Sequence, residues 1–300
     1  MKKKTYLFAL MAMALTLGSC SDNENGIGGE TSKYITVSTS IGNMTRVATD
    51  EKGGQTFEEG DEISVYAWTG DATVAPETIE RVVNNAINKL TNGSWVSTPQ
   101  MLWKNNRDKH YFIGVYPISA ISDLSAGEYT FDVNKQTESD LLVAVNKDGL
   151  SYNVDEQQTV PLTFTHVMAK LVVNLTYKNQ WGGIPTVEKV VVGNAAKEAT
   201  INYLTKVVTP STTAKEDFSL PEITENTKYV SVIIPQEDVK QLTIVIGGKN
   251  FVYDNGTPFK LESGKITTVN LEVGRDEIKL GDVKITDWEN GSTFSGEALN

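Results

Sequence analysis

His110, His166 and Cys20 set the limits on the chemistry open to this chain of 300 residues, which has two histidines and one cysteine. Nucleophilic catalysis needs a base beside its nucleophile, most often a histidine. His110 opens the apolar run His110–Tyr116, and His166 closes Leu162-Thr163-Phe164-Thr165-His166. Neither has a Gly-x-Ser-x-Gly or an equivalent nearby, so both read as residues of a strand or core. A zinc site of the usual kind needs clustered ligands, which two distant histidines and a lone cysteine do not supply. Asp22, Glu24 and Gly26 lack the spacing and the terminal glutamate of a calcium loop. Gly264-Lys265 is preceded at five residues by Phe259 and followed by Ile266, so the phosphate-loop pattern fails. Glu58-Glu59 and Asp61-Glu62 crowd a turn before a strand and read as a solvated loop. A glycosidase pair assembled in space is the alternative they leave open. No catalytic residue, metal or cofactor is assigned, and a protein that is not an enzyme is expected.

Cys20 has a more specific context. Lys2, Lys3 and Lys4 precede a mostly apolar run from Tyr6 to Leu17, which ends in the small residues Gly18 and Ser19. That is the order of a secretory signal. The run is too short to span a bilayer as a helix, which takes about 20 apolar residues. Leu17-Gly18-Ser19-Cys20 resembles the lipobox of bacterial lipoproteins. The resemblance implies a signal peptide over residues 1–19 and lipidation of Cys20 as the first residue of the mature chain. Each buried acyl CH₂ contributes about 0.8 kcal/mol, so two or more chains anchor firmly without a transmembrane helix.

Residues 20–32 carry Asp22, Glu24 and Glu30 with no lysine or arginine, an acidic flexible tether. Ser21-Asp22-Asn23-Glu24 resembles a surface-export signal of some lipoproteins, with a plain spacer as the alternative reading. The net charge is −11, and it falls by three more when the leading lysines are removed. Such a chain is a poor ligand for phosphate backbones, which argues against nucleic acid. With Cys20 acylated no thiol remains, so packing rather than disulfides must hold the core.

Beyond the tether the apolar period is mostly two, as in strands. Ile35, Val37, Thr39 and Ile41 share one face of the first strand. Ile63, Val65 and Ala67 alternate with Ser64, Tyr66 and Trp68; His110–Tyr116 is stopped by Pro117; Leu141–Val145 reads as buried on both faces. From Gln157 to Leu175 the apolar parity switches between Met168 and Ala169, predicting a bulge or a bend between sheets. Further strands are predicted over 187–192, 200–204, 229–234, 242–246, 249–253, 259–261 and 267–273, with Gly247-Gly248 as a hairpin turn. Ile79, Val82, Val83, Ala86, Ile87 and Leu90 fall instead at helical spacing, while Asn84, Asn85, Asn88 and the valines disfavour a helix. Residues 78–90 are therefore left open between helix and strand. Many short strands imply sandwiches or barrels. Two halves divide near Asp155-Glu156-Gln157, into 33–156 and 157–300.

Several stretches, in order, resemble the fimbrillin-like family of surface lipoproteins, which build pili in anaerobic Gram-negative bacteria. They are Thr45-Arg46, Phe57 with Gly60–Ala67, Trp95, Trp103, Tyr111–Pro117, Phe164–Leu171, Ile233–Gln236, Gly264-Lys265 and Ile285–Gly291. The resemblance implies an all-β chain of two tandem transthyretin-like β-sandwich domains. It also implies proteolytic processing after Arg46, before Val47, with departure of the strand Tyr34–Ile41. A C-terminal strand of a neighbouring subunit then fills the groove. Here the candidate donor is the segment holding Val283, Ile285 and Trp288, although the tail 291–300 is short and polar. The expected partners are other pilus subunits and, through the lipid, the outer membrane. The alternative is a surface lipoprotein that does not polymerise and binds glycan on Tyr66, Trp68, Trp95, Trp103 or Trp181.

Overall fold

The computed structural model describes residues 33–42, 56–136, 138–153, 156, 158–254 and 256–288. Cys20, Arg46, Val47 and the tail 289–300 lie outside the described residues. In chain order the strands are β1 (Thr36–Ile41), β2 (Glu62–Thr69), β3 (Arg81–Thr91), β4 (Ser94–Thr98), β5 (His110–Tyr116), β6 (Gly127–Thr130) and β7 (Leu142–Leu150). There follow β8 (Thr159–His166), β9 (Ala169–Tyr177), β10 (Val187–Ala196), β11 (Glu198–Asn202), β12 (Val207–Pro210) and β13 (Lys215–Ser219). The last are β14 (Glu222–Thr224), β15 (Lys228–Ile233), β16 (Gln241–Ile246), β17 (Lys249–Asp254), β18 (Lys265–Val273) and β19 (Ile278–Asp287). The architecture is all-β. A seven-stranded sheet runs β1-β8-β7-β5-β2-β3-β4, beside sheets ordered β13-β10-β16-β17, β12-β11-β6 and β14-β15-β9-β18-β19.

The segment of helical spacing is a short 3-10 turn, Thr78–Glu80, followed by β3. Two bulges produce the misleading period. Val65 faces Ala86 and Ala67 faces Val83, so Asn84 and Asn85 together oppose Tyr66; Trp68 then faces Arg81, leaving Val82 over. Asn85 takes a left-handed φ of 56°, which asparagine tolerates better than most residues. A two-against-one bulge turns i, i+2 burial into i, i+3 burial, so Val83 and Ala86 both reach the core.

The parity switch lies at Val167-Met168, where the chain leaves β8 in the seven-stranded sheet and enters β9 in the five-stranded one. The division expected near residues 155–157 lies just before β8. β8 pairs with β1 and β7, so the first sheet extends to His166. β6, from the first half, pairs with β11 in the second. A run over 259–261 does not form a strand either; Leu261 makes only an isolated bridge to Gln236. Gly247 and Gly248, at φ of 57° and 71°, form the expected two-residue turn between β16 and β17.

The central strands of the seven-stranded sheet, β2 and β5, are buried on both faces. Ile63, Val65, Phe112, Leu162 and Phe164 belong to one cluster, which Ile35, Val37 and Ile41 complete. Tyr66, Trp68, Ile113, Val115 and Val143 point the other way, into the larger cluster built mostly from β9–β18.

Candidate functional site

β1 and β4 are the two edges of the seven-stranded sheet, and they come together. Just before β1, Ile35 N–H donates to Met101 C=O at 3.0 Å, and Trp103 N–H donates to Lys33 C=O at 3.3 Å. Further along, the Trp95 indole N–H donates to Thr39 Oγ1 at 3.0 Å. Beside this seam lies a groove of about 570 Å³, lined by Val37, Thr39, Ile41, Phe57, Leu90 and Trp95 among others.

β1 lies parallel to β8 in an unbroken register, Thr36 opposite Thr159 through Ile41 opposite Phe164. Its inward side chains Ile35, Val37 and Ile41 are buried. Its outer face is hydroxylic: Thr36 and Thr159 are 3.1 Å apart, and Ser40 donates to Thr163 Oγ1 at 3.2 Å. The alternation that marked this strand therefore places one apolar face on the core and leaves one polar face in water.

An aromatic cluster braces the floor of the seam. Phe57 meets Trp95, Tyr116 and Phe164 edge-on, with ring centroids 5.3, 5.4 and 5.1 Å away. Edge-to-face pairs of this kind add about 0.5–1.5 kcal/mol each beyond burial. Gly114, on β5, leaves room for the Phe164 ring. A Cβ there would stand 2.7 Å from Phe164 Cζ.

The two histidines lie elsewhere and apart. His110 is fully buried, edge-on to Trp103 at 5.0 Å. Its Nε2 accepts from Lys104 N–H at 3.0 Å, so Nδ1 carries the proton and donates to Asp108 C=O at 3.1 Å. Both ring nitrogens are thus satisfied in the neutral form, and burial holds the imidazole below its ordinary pKa of 6.5. His166 Nδ1 lies 2.8 Å from Asp140 Oδ1. Its ring lies flat on the Trp288 ring, with centroids 3.9 Å apart and planes 6° from parallel. Among the described residues, no three His, Cys, Asp or Glu side chains group as metal ligands.

Val283 and Ile285 stand on β19, the edge of the five-stranded sheet, opposite Val269 and Thr267 of β18; each is 38% exposed. The candidate donor is therefore seated on its own chain. Of the aromatics considered for stacking on sugar, Tyr66, Trp68 and Trp103 are buried and Trp95 and Trp181 are half-buried. What sequence reasoning missed is convergence. Phe164–Leu171, Gly264-Lys265 and the segment ending at Trp288 meet in space: Trp288 N–H donates to Gly264 C=O at 2.8 Å, and Lys170 Nζ lies 5.3 Å from the Trp288 ring centroid. Their order along the chain carried no sign of this contact.

Comparison with known proteins agrees with this architecture. A candidate fimbrium subunit, Fim1C, of Bacteroides uniformis is 25% identical over 325 residues, covering 99% of this chain and 100% of that protein. The crystal structure of a candidate cell adhesion protein from Bacteroides uniformis superposes with a TM-score of 0.65 at 19% identity, covering 86% of this chain and all of that one. A second such structure, from Bacteroides ovatus, gives 0.63 at 18% identity, covering 86% of this chain and 99% of that one. At these identities the likeness to the solved structures is one of fold. The fimbrillin-like family model matches residues 45–288, and the chain belongs to that family.

Proposed function

We propose that this protein is a structural or tip subunit of a cell-surface pilus, exported as a lipoprotein through Cys20 and assembled by strand exchange, with a role in adhesion. In this reading the seven-stranded sheet is the acceptor and β1 the strand that leaves. The division between an N-terminal and a C-terminal body falls after His166. Cleavage after Arg46 would tie β1 to the rest only by non-covalent contacts, because the segment 43–55 joins β1 to the chain that follows.

The observation that carries the proposal is the edge position of β1, with Ile35, Val37 and Ile41 in the core. Losing β1 would uncover three aliphatic side chains, each about 1.5–3 kcal/mol of burial, and leave the β8 edge unpaired. An incoming strand recovers both contributions, since main-chain hydrogen bonds supply affinity and alternate side chains fill the vacated places. β19 is the proposed donor. Val283 and Ile285, two residues apart on one strand, share a face and are already partly exposed.

The test is to cut the purified protein at Arg46 and run it on a gel with and without heating. Heat-labile ladders from the cut protein alone are expected. A cut protein that stays monomeric, together with normal surface fibres from a chain lacking 282–300, would exclude strand exchange.

A further inference from the structure

We propose that the stack of Trp288 on His166 is a latch that holds the C-terminal strand on its own subunit and sets how readily that strand leaves β18. The strand-exchange reading above supplies only what the released strand does; the latch itself stands on three features of the structure.

The first is how little else holds β19. Among the described residues β18 is the one strand hydrogen-bonded to it; Ile278 and Leu280 pack on the core, but Val283 and Ile285 remain 38% exposed. The ladder is also interrupted: Asn270 faces Asp282 and Leu271 faces Leu280, leaving Gly281 unpaired. A strand of this kind opens locally at a small fraction of the cost of global unfolding.

The second is where Trp288 sits. It directly follows the last residue of β19, the end from which an edge strand peels. Its ring is stacked on His166 at 3.9 Å and 6°, and Lys170 Nζ lies 5.3 Å from its centroid. Its backbone N–H donates to Gly264 C=O at 2.8 Å, and the adjoining Asp287 pairs with Lys265.

The third is what the ring is fastened to. His166 ends β8 and so belongs to the seven-stranded sheet, whereas β19 belongs to the five-stranded one. Asp140, from the connection before β7, holds the imidazole through Nδ1 at 2.8 Å and fixes the plane on which Trp288 lies. The last strand is thus clamped across two sheets by one aromatic contact. Release of the strand requires that contact to break, because the ring is carried by the residue next to the strand's final hydrogen-bonded pair.

The experiment is residue-resolved hydrogen exchange on the purified protein and on Trp288→Ala, His166→Ala, Trp288→Phe and the double alanine variant. Each alanine variant should raise exchange in β19 on the order of tenfold, with β9 and β15 unchanged. Trp288→Phe should fall between, and the double variant should resemble either single one, since the two residues form one contact. Unchanged exchange in β19, additive effects, or an equal rise throughout the five-stranded sheet would each overturn the latch. Assembly is read separately. Faster exchange in β19 with no change in heat-labile ladders keeps the latch and counts against strand exchange.

Discussion

The Trp95 indole N–H donates to the Thr39 hydroxyl at 3.0 Å, and this bond joins the two opposite edges of one seven-stranded sheet. Thr39 is on β1 and Trp95 on β4, so it is a tie on the strand proposed to leave. Thr39→Val keeps the shape and removes the acceptor. The expected cost is about 0.5–1.5 kcal/mol. Hydrogen exchange should locate it in β1 rather than in β5 or β7, and the cut protein should form ladders faster.

Gly114→Ala brings a methyl within 2.7 Å of Phe164 Cζ, beneath the aromatic cluster of the seam. Overpacking of a buried site costs about 1–3 kcal/mol. Urea unfolding should show a lower midpoint with an unchanged slope. Phe164→Leu, destabilising by itself, should recover part of the loss when combined with Gly114→Ala, because it removes the opposing ring atoms.

His110 links stability to pH. Burial lowers its folded-state pKa below 6.5, whereas the unfolded chain takes up a proton near that value. Below 6.5 the unfolded state therefore binds more protons, and stability rises with pH. The contribution is complete above about pH 6.5 and is lost as pH falls through the folded-state pKa. His110→Gln should be less stable at pH 7.5 and show a flatter dependence between pH 6.5 and 5, measured by urea unfolding at each pH.

Cys20→Ala tests the anchor without disturbing the fold, since the described strands begin at Thr36. The variant should pass from the membrane fraction to the soluble fraction, with the circular dichroism spectrum unchanged. Unaltered retention in the membrane would refute lipidation at this residue.

The alternation of apolar and polar residues was enough to identify most strands. His110–Tyr116 matches β5, and Gly247-Gly248 marks the β16–β17 turn. The burial of Ile35, Val37 and Ile41 on one face was legible for the same reason, because side chains in a strand alternate faces whatever strand lies alongside. Partners were not legible. A backbone edge offers the same N–H and C=O groups to any strand, so nothing local assigns β1 to β8, more than a hundred residues later in the chain, or makes that pairing parallel. The bulges of β3 had a sequence trace, Asn84-Asn85, but it became readable only once Tyr66 was seen opposite both. Trp288 and His166 are likewise ordinary members of two distant strand patterns. Their contact exists because the chain changes sheets at Val167-Met168 and carries His166 to the place where β19 ends. Spacing along the chain determined which side chains face inward; the long-range pairing of edges decided which of them meet.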